Sequence, residues 1–387
     1  MKQIVNRVQT LLDYEVLSIT EYPVGLESRA QEVIGLAETR SNQVCMIGIW
    51  GMGGSGKTTV AKAIYNRIHR RFMDKSFIEN IRESCESNGR KYVPLQEKLL
   101  SDVLKTKVDI HSDGMGRTMI ESRLAGKKAL IVLDDVDEYN QLKAVCGNRK
   151  WIGEGSVIIV TTRDVGLLTR LQVDYVYEMD KMDENESLQL FSYHCFRDVN
   201  PTEDFRELAE NVVTYCGGLP LALEVLGSYL FDKTSKRVWE GVLAKLARIP
   251  HNQVQGKLRI SYDSLSNDME KDIFLDVCCF FIGKDRGYVT EILNGCELFA
   301  DGGITVLIER SLIKVEKNNK LGMHPLLQEM GREIIRENSR KEPGKHSRLW
   351  FQKDVVDVLR KKAVSTFSLY SFPFLFHVQY ISGVRLS

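Results

Sequence analysis

The segment GMGGSGKTT, residues 51–59, fits the pattern G-x-x-x-x-G-K-[ST] and constrains the fold more than any other part of the chain. An apolar run, VCMIGIW from Val44, precedes it, and apolar residues at helical spacing follow it. This context is typical of a loop between a buried strand and a helix, where backbone N–H groups turn inward around phosphates. The sequence therefore predicts an α/β domain that binds a nucleoside triphosphate or diphosphate.

The residue types of the loop fit that chemistry. Glycines have no Cβ, so the backbone at Gly51, Gly53, Gly54 and Gly56 can approach the phosphates closely. Lys57 adds a positive charge beside the β- and γ-phosphates, and Thr58 offers a hydroxyl to Mg²⁺. The same glycines also spell the dinucleotide pattern G-x-G-x-x-G. Lys57 and Thr58 argue against that alternative, because a dinucleotide fold needs neither a cation nor a metal-binding hydroxyl there.

Bulk composition narrows the class of protein. The 387 residues suffice for two or three domains, and 53 basic residues balance 52 acidic ones, so net charge favours neither a nucleic-acid nor a membrane surface. Eight cysteines without a C-x-x-C pair indicate buried thiols in a reducing compartment. The amphipathic start lacks the apolar stretch of a signal peptide. For the aromatic residues 363–387 we expect a poorly ordered or edge-pairing tail, not a membrane span.

Strand-like and helical patterns alternate from Val44 to about Tyr177, which predicts βαβ units and a parallel sheet with further strands at 76–81, 129–135 and 156–164. After Met179 helical patterns dominate, and a hairpin pattern turning at Asn318-Asn319 indicates a winged helix. The predicted fold is α/β, a P-loop parallel sheet followed by an all-helical domain and a winged-helix domain. The expected boundaries are a linker or amphipathic helix at 1–21, the P-loop domain at 22–179, the helical domain at 180–252, the winged helix at 253–350, and a linker with a divergent tail at 351–387.

Charged residues follow two of the predicted strands. ALIVLDD ends in Asp134 and Asp135, the candidate catalytic acids, and an acid at this place can reach Mg²⁺ beside the phosphate loop. We assign Asp134 to the metal, whereas Asp135 either orients or deprotonates an attacking water or caps the next helix. We expect Asp137 to be exposed. At the end of the strand predicted at 156–164, Arg163 either senses the γ-phosphate or forms a solvated salt bridge.

Taken in order, these segments resemble the NB-ARC module of plant intracellular immune receptors, in the branch with a Toll/interleukin-receptor-type domain. The similarity covers about residues 22–359. Its motifs are YPVGLESR, GMGGSGKTT, FMDKSFIENIRE, LIVLDDVD, VTTRD, CGGLPLALEVLGSYL, FLDVCCFF and MHPLLQEMGREI. Asp137 stands where another plant branch carries Trp, which favours the Toll-type branch.

The resemblance implies roles for individual residues and implies ADP/ATP and Mg²⁺ as cofactors. Adenine contacts fall on Val24, Gly25 and Pro220. Phosphate contacts fall on the loop from Gly53 through Thr59, which adds Ser55 and Thr59 to the loop residues named above. The Mg²⁺ contacts fall on Thr58 and Asp134. Arg163 becomes the γ-phosphate sensor, and His324 touches the diphosphate. Without the resemblance, His324 would be an ordinary histidine at a helix start.

The sequence departs from the family in two ways. The family triplet Met-His-Asp reads Met323-His324-Pro325, and the lost carboxylate leads to the hypothesis that the closed, ADP-bound state is weakened. Neither a Toll-type domain nor leucine-rich repeats are recognised, so we expect a fragment or a truncated gene product. NAD cleavage, an activity of the missing amino-terminal domain, is therefore not expected.

The leading hypothesis is an ADP/ATP-binding switch of plant innate immunity, in disease resistance and signal transduction. ADP keeps it off, and ATP opens it to form a homo-oligomer that acts with other immune receptors or signalling proteins. Hydrolysis then makes it at most a slow ATPase. The alternatives are a turnover ATPase or phosphotransferase, and a truncated, non-signalling adaptor or decoy.

Partners and location complete the expectations. The candidate helices of the winged helix lack a dense basic face, so we expect no nucleic-acid partner. We expect no membrane span, and a cytoplasmic location that can extend to the nucleus.

Overall fold

A computed structural model describes residues 16–84, 91–246, 251–337, 342–351, 354–356 and 358. Most of the predicted amphipathic start and all of the aromatic tail at 363–387 lie outside these residues. The chain divides into two compact units, Met1–Asn200 with Gly218–Glu224, and Pro201–Gly217 with Val225–Ser387. The three domain boundaries expected from the sequence stay a prediction.

The first unit is built around a parallel sheet of five strands. These are β1 Cys45–Trp50, β2 Asp74–Ile78, β3 Ala129–Val136, β4 Val157–Thr162 and β5 Tyr175–Glu178. Their order across the sheet is β2-β3-β4-β1-β5, and every neighbouring pair is parallel. The strand that leads into the phosphate loop is therefore separated from the strand of the two acids by β4 alone.

Helices cover both faces of this sheet, as continuous apolar strands require. The helices of this unit are α1 Leu26–Glu38, α2 Lys57–Ile68, α3 Ile81–Ser84, α4 Val93–Leu104, α5 Asp113–Leu124, α6 Tyr139–Cys146, α7 Val165–Leu171 and α8 Glu184–Phe196. On one face of the sheet, a core contains Ile131 and Ile158 together with buried residues of α4, α5, α6 and α7. The other joins Ile47 and Ile159 to α1 and α2. Alternate residues of each strand thus enter opposite cores, and both cores fix the strand ends that form the site.

The second unit contains mainly helices. They are α9 Arg206–Cys216, most of α10 Pro220–Leu230, α11 Lys236–Leu246, α12 Asn252–Asp263, α13 Asp268–Asp276, a π-helical segment Val277–Phe281, α14 Arg286–Gly295, α15 Ala300–Glu309 and α16 Pro325–Glu337. Short 3₁₀ turns lie at His69–Arg71, Arg149–Trp151, Glu203–Phe205 and Pro343–Lys345 across the two units.

A short hairpin in the second unit matches the winged-helix prediction. Strands β6 Lys314–Val315 and β7 Leu321–Gly322 are antiparallel. Asn318 and Asn319 both have positive φ, 73° and 56°, the left-handed conformation that hairpin turns use and that Asn tolerates. The turn predicted at these two asparagines is confirmed.

Two local expectations need adjustment. The strand predicted at 76–81 occupies Asp74–Ile78, and Ile81 instead begins the short helix α3. The strand β5 was not predicted separately, because its four residues alternate between half-buried and exposed and give only a short apolar signal.

The seven cysteines among the described residues are free thiols, five of them buried, with Cys296 exposed. Over the described part of the chain, no group of His, Cys, Asp and Glu side chains has the arrangement of a metal cluster. None of the helices described here is long and apolar enough to cross a lipid bilayer.

Candidate nucleotide-binding site

The phosphate loop connects β1 to α2 and depends on glycine at position 54. Gly54 has φ +79°, and a Cβ there would lie 2.8 Å from the Cβ of Leu221. The Leu221 amide also donates a hydrogen bond to the Gly54 carbonyl, at 3.3 Å. Any larger residue at Gly54 would be strained and would push this segment away. The loop is thus packed against the chain just after Pro220.

Lys57 lies within the loop with only 7% of its surface exposed. Its Nζ donates to the carbonyl oxygens of Gly51 and Met52, both at 2.8 Å. The pKa of Lys57 is lowered to about 7, mainly by burial and also by the charge of Arg163, while the Asp135 and Asp134 carboxylates oppose the shift. An ammonium group held in this way would gain strongly from a phosphate beside it.

Asp134 is fully buried at the carboxyl end of β3. Its Oδ1 accepts hydrogen bonds from the hydroxyls of Thr161, at 2.6 Å, and Thr58, at 2.8 Å. Its Oδ2 has no hydrogen-bond partner. Burial raises the pKa of Asp134, and the hydrogen bonds from Thr161 and Thr58 oppose this. A buried carboxylate oxygen without a donor beside a hydroxyl fits a hard cation, so the predicted Mg²⁺ ligands, Thr58 and Asp134, suit that ion.

Asp135 occupies an irregular position in β3. The register with β4 shifts between Leu133 and Val136, and Asp135 has φ +52°. Its amide donates to the Thr161 hydroxyl oxygen, at 2.9 Å. Arg82 donates to both carboxylate oxygens, from Nε at 3.1 Å and from Nη2 at 3.2 Å. Arg163 Nε lies 3.5 Å from Oδ1. The carboxylate is therefore shared by two arginines.

This arrangement corrects two expectations. Asp135 does not cap the next helix, because Glu138 is the N-cap of α6 and forms a capping box with Gln141. Asp137 is half-buried, not exposed: it accepts a hydrogen bond from Gln141 Nε2 at 2.8 Å and lies 3.9 Å from Arg82. Both differences follow from the bulge, which turns Asp135 into the site and holds the following turn against the sheet.

Arg163 follows β4 at the same sheet edge, and its side chain is 13% exposed. Its carbonyl accepts a hydrogen bond from the Trp50 indole at 3.3 Å. Burial lowers the pKa of Arg163, and the Asp135 carboxylate opposes the shift. Arg163 does form a salt bridge, as one of the two expectations had it. The expectation that this salt bridge is solvated is wrong, since the pair with Asp135 is largely shielded from water.

A cavity next to the loop gathers the residues expected to hold the base. Val24, Gly25 and Pro220 line it together with Ser55, Gly56 and Thr59 of the loop. Much of its wall is apolar, from Met179, Met182 and Leu190 among others. The Ser55 hydroxyl is buried without a hydrogen-bond partner. Apolar walls with a few polar groups are typical of a small-molecule site.

A half-buried ion pair fixes one wall of this cavity. Arg29 donates to both carboxylate oxygens of Glu186, at 2.8 and 2.7 Å, and to the Gly25 carbonyl at 2.7 Å. Gly25 has φ +63°, and a Cβ there would lie only 2.0 Å from Glu186 Oε1. A side chain at this position would clash with Glu186, so only glycine fits at position 25 of the cavity wall.

His324 belongs to the second unit and is not part of this cavity's lining. Its Nδ1 accepts a hydrogen bond from the Leu326 amide at 3.2 Å, so Nε2 carries the proton and donates to the Gly217 carbonyl at 3.1 Å. His324 thus caps α16, which begins at Pro325. This matches the geometry of a helix-start histidine, and its contact with the diphosphate stays a prediction.

Within the first unit, the structure brings together all the other predicted site residues. Val24, Gly25, Ser55, Gly56, Thr59 and Pro220 line the cavity. Gly51, Gly53, Gly54, Lys57 and Thr58 form the loop and the start of α2. Asp134, Asp135 and Arg163 follow the adjoining strands.

Sequence reasoning missed Arg82, Thr161, Arg29 and Glu186. Arg82 was hidden because the predicted strand extended to Ile81. A strand that ends at Ile78 places Arg82 just beyond the sheet edge where Asp134 and Asp135 lie. A correct strand end would therefore have predicted Arg82 as a site residue. Thr161 was noted only as part of a motif, although a hydroxyl on the strand between β1 and β3 can reach both neighbours. No local signal pairs Arg29 with Glu186, which is 157 residues away.

Two family models match the sequence. The model described as "NB-ARC domain" matches residues 27–200, and that described as "Disease resistance protein Roq1-like, winged-helix domain" matches residues 267–339.

Disease resistance proteins of plants are similar over most of the chain. Disease resistance protein RUN1 of Vitis rotundifolia is 42% identical over 375 residues, which are 95% of this chain and 28% of that protein. TMV resistance protein N of Nicotiana glutinosa is 38% identical over 367 residues, which are 93% of this chain and 31% of that protein. The chain therefore spans less than a third of the length of these relatives.

Among solved structures, a Walker-type ATPase of Pyrococcus abyssi has the same fold. It superposes with a TM-score of 0.57 at 15% sequence identity, covering 83% of this chain and 99% of the ATPase.

Proposed function

We propose, from the premise that this chain contains an NB-ARC domain and a Roq1-like winged-helix domain, that it is an ADP/ATP-binding molecular switch of plant disease resistance. In the proposed cycle ADP holds the off state, and exchange for ATP produces an on state that oligomerises. The expected partners are further copies of the chain and other immune receptors or signalling proteins, in a cytoplasmic location that can extend to the nucleus.

The observation that carries this proposal is the convergence of three features within one compact unit. The phosphate loop holds a buried lysine, Lys57, whose pKa is lowered by burial. Asp134 presents a buried oxygen without a hydrogen-bond donor. Val24 and Pro220, far apart in sequence, line one cavity with the loop. A loop for phosphates, oxygens for a cation and a cavity for a base together fit a Mg²⁺-nucleotide.

Each residue has a defined task in this proposal. Thr58 and Asp134 hold Mg²⁺, which when bound neutralises phosphate charge. The loop amides and Lys57 bind the β-phosphate, and the cavity orients the base. Arg163 contacts the γ-phosphate, so that ATP and ADP make different contacts, which any ligand-driven shift between two states requires.

Slow hydrolysis fits the surroundings of Asp135. A carboxylate that orients or deprotonates an attacking water needs a free oxygen directed at that water. In this structure both oxygens accept hydrogen bonds from Arg82, and Arg163 adds a further charge. We therefore favour a switch with at most slow ATPase activity over a turnover ATPase.

The hypothesis on Pro325 concerns the second unit. Proline is compatible with the first position of α16, since its missing N–H would have no partner there. The helix begins with His324 as its cap, but without the carboxylate of the family triplet. Pro325→Asp should lengthen ADP retention if the off state is weakened, and an unchanged ADP release rate would contradict this.

The switch can be separated from a turnover enzyme by two measurements on the full chain. We expect a fluorescent ADP analogue to dissociate over minutes or longer, and light scattering to detect a larger species with Mg²⁺ and a non-hydrolysable ATP analogue than with ADP. Lys57→Ala should remove both effects. Sustained multiple turnover with rapid ADP release would instead identify an ATPase.

A further inference from the structure

We propose that Arg82 is a positioning residue that keeps Arg163 available to the terminal phosphate of a nucleoside triphosphate. It does so by holding the Asp135 carboxylate, which would otherwise hold Arg163. The inference rests on the proposed function, because it concerns how the same site distinguishes a triphosphate from a diphosphate.

The two arginines hold Asp135 unequally. Arg82 reaches both carboxylate oxygens, at 3.1 and 3.2 Å. The shortest distance from Arg163 to the carboxylate, Nε to Oδ1, is longer, at 3.5 Å. A guanidinium that engages both oxygens of a carboxylate forms the stronger and more directional pair. Asp135 is therefore held mainly by Arg82, and Arg163 is its weaker partner.

The backbone of Asp135 is fixed, which restricts the positions that its carboxylate can take. Asp135 lies in the bulge of β3 with φ +52°, and its amide is tied to the Thr161 hydroxyl at 2.9 Å. Thr161 also donates to Asp134, so its hydroxyl is fixed from two sides. Which arginine engages Asp135 is thus decided by the arginine side chains and not by movement of the acid.

Arg82 is placed to do this from outside the loop. It lies in α3, just after β2, and β2 is the neighbour of β3 in the sheet. Its side chain is 11% exposed, and Asp137 lies 3.9 Å from its Nε as a second acid. Among described residues, the other charged groups facing the cluster are Lys57 and Asp134. Arg82 is thus a shielded cation supported by two acids.

Without Arg82, Asp135 would be a largely shielded carboxylate, 20% exposed, with Arg163 as its nearest cation. An uncompensated buried charge is costly, so the pair with Arg163 would tighten to engage both oxygens. A γ-phosphate would then have to break that pair before it could recruit Arg163. A diphosphate lacks the group that recruits Arg163, so its affinity would depend less on this competition. The expected signature is a loss of preference for triphosphate over diphosphate.

Dissociation constants for ADP and for a non-hydrolysable ATP analogue test this, measured calorimetrically with Mg²⁺ on the full chain. We expect Arg82→Gln to lower the triphosphate-to-diphosphate affinity ratio roughly tenfold, the size of one charge-assisted hydrogen bond. The double variant Arg82→Gln with Asp135→Asn should restore most of the ratio, because the competing carboxylate is gone. Arg82→Lys, a point charge that cannot engage both oxygens equally, should give an intermediate ratio.

Arg149→Gln is the matched control. Arg149 pairs with Asp174, at the opposite end of the sheet, so its loss should leave the ratio unchanged. Circular dichroism and thermal unfolding verify that each variant is folded, and Arg82→Lys carries the test if Arg82→Gln does not fold.

Three outcomes would overturn the inference. Arg82→Gln could weaken both nucleotides alike, it could leave the ratio unchanged, or the double variant could behave as Arg82→Gln alone. The first and third are what a purely structural role predicts. A folded wild-type chain that binds neither nucleotide would overturn the proposed function as well, so the two failures are distinguishable.

Discussion

The two ends of the central sheet each carry a shielded aspartate with arginines nearby. Only at one end do both oxygens of that aspartate accept hydrogen bonds. At the amino end, Asp174 is 6% exposed and accepts hydrogen bonds from Arg40, Arg149 and the Met46 amide, through both oxygens. At the carboxyl end, Asp134 has one oxygen without a donor. Its neighbour Lys57 has carbonyl oxygens as hydrogen-bond acceptors.

The difference separates a structural cluster from a ligand site. A buried charge stabilises a fold only when its partners satisfy it, and the Asp174 cluster meets that condition. The carboxyl end instead keeps a buried carboxylate and a buried ammonium that would both gain from a cation and a phosphate. Residue types alone do not distinguish the two clusters; the hydrogen-bond partners do.

The largest expected effect contrasts Asp134→Asn with Asp174→Asn. Asp134→Asn should weaken Mg²⁺-dependent nucleotide binding by roughly 10- to 100-fold or more, as for changes beside a metal. Asp174→Asn should leave binding intact and lower the free energy of unfolding by about 1–2 kcal/mol, because hydrogen bonds to a charged acceptor are lost. Calorimetric titration and urea unfolding measure the two effects. The contrast fails if Asp174→Asn also impairs binding, or if Asp134→Asn lowers stability more than Asp174→Asn does.

A smaller effect, in pH dependence, should occur only at the carboxyl end. The pKa of Lys57 is about 7 in this structure, and a phosphate beside it would raise that pKa. Above pH 7 binding should therefore take up as much as one proton, and affinity should fall by up to tenfold per pH unit until the pKa of the complex is reached. Titration calorimetry in buffers of different ionisation enthalpy measures this uptake.

Lys57→Arg provides the control for that titration, because an arginine stays protonated throughout this range. The variant should bind without the proton uptake. Equal proton uptake by the wild type and Lys57→Arg would assign the titration to another group.

The smallest expected effect tests how redundant the amino end is. Arg40 is 41% exposed, and Arg149 continues to hold Asp174 when Arg40 is replaced. Arg40→Gln should therefore lower the free energy of unfolding by no more than about 0.5 kcal/mol, as expected for an exposed ion pair. Urea unfolding at low and high salt measures it. A loss above about 1 kcal/mol would show that the cluster is not redundant.

The sequence was sufficient to predict the fold class and the resemblance to the NB-ARC module. A glycine-rich loop between an apolar strand and a helix has few structural solutions, so the parallel sheet is confirmed. The NB-ARC resemblance and the winged helix are confirmed by the family matches. The hairpin turn was also predictable, because asparagine tolerates the left-handed conformation that Asn318 and Asn319 adopt.

The electrostatic pairing of the site was not predictable, for physical reasons. The bulge at Asp135 shifts the register of β3 against β4 by an amount that no local pattern encodes, and it turns the acid towards two arginines instead of a helix end. Arg82 reaches the site only because β2 lies beside β3, which is a property of strand order. The Arg29–Glu186 pair likewise depends on how α1 and α8 meet within the first unit. The domain boundaries and the individual nucleotide contacts stay predictions.

The nucleotide released when the purified, folded chain is denatured tests the central claim most directly, that the carboxyl end of the sheet is completed by a bound adenine nucleotide. Chromatography of the extract should yield nearly one adenine nucleotide per chain, mainly ADP, from the wild type and from Asp174→Asn, and almost none from Lys57→Ala. Folded wild-type protein that releases no adenine nucleotide and takes up none in a calorimetric titration would contradict the account, as would equal amounts from Lys57→Ala.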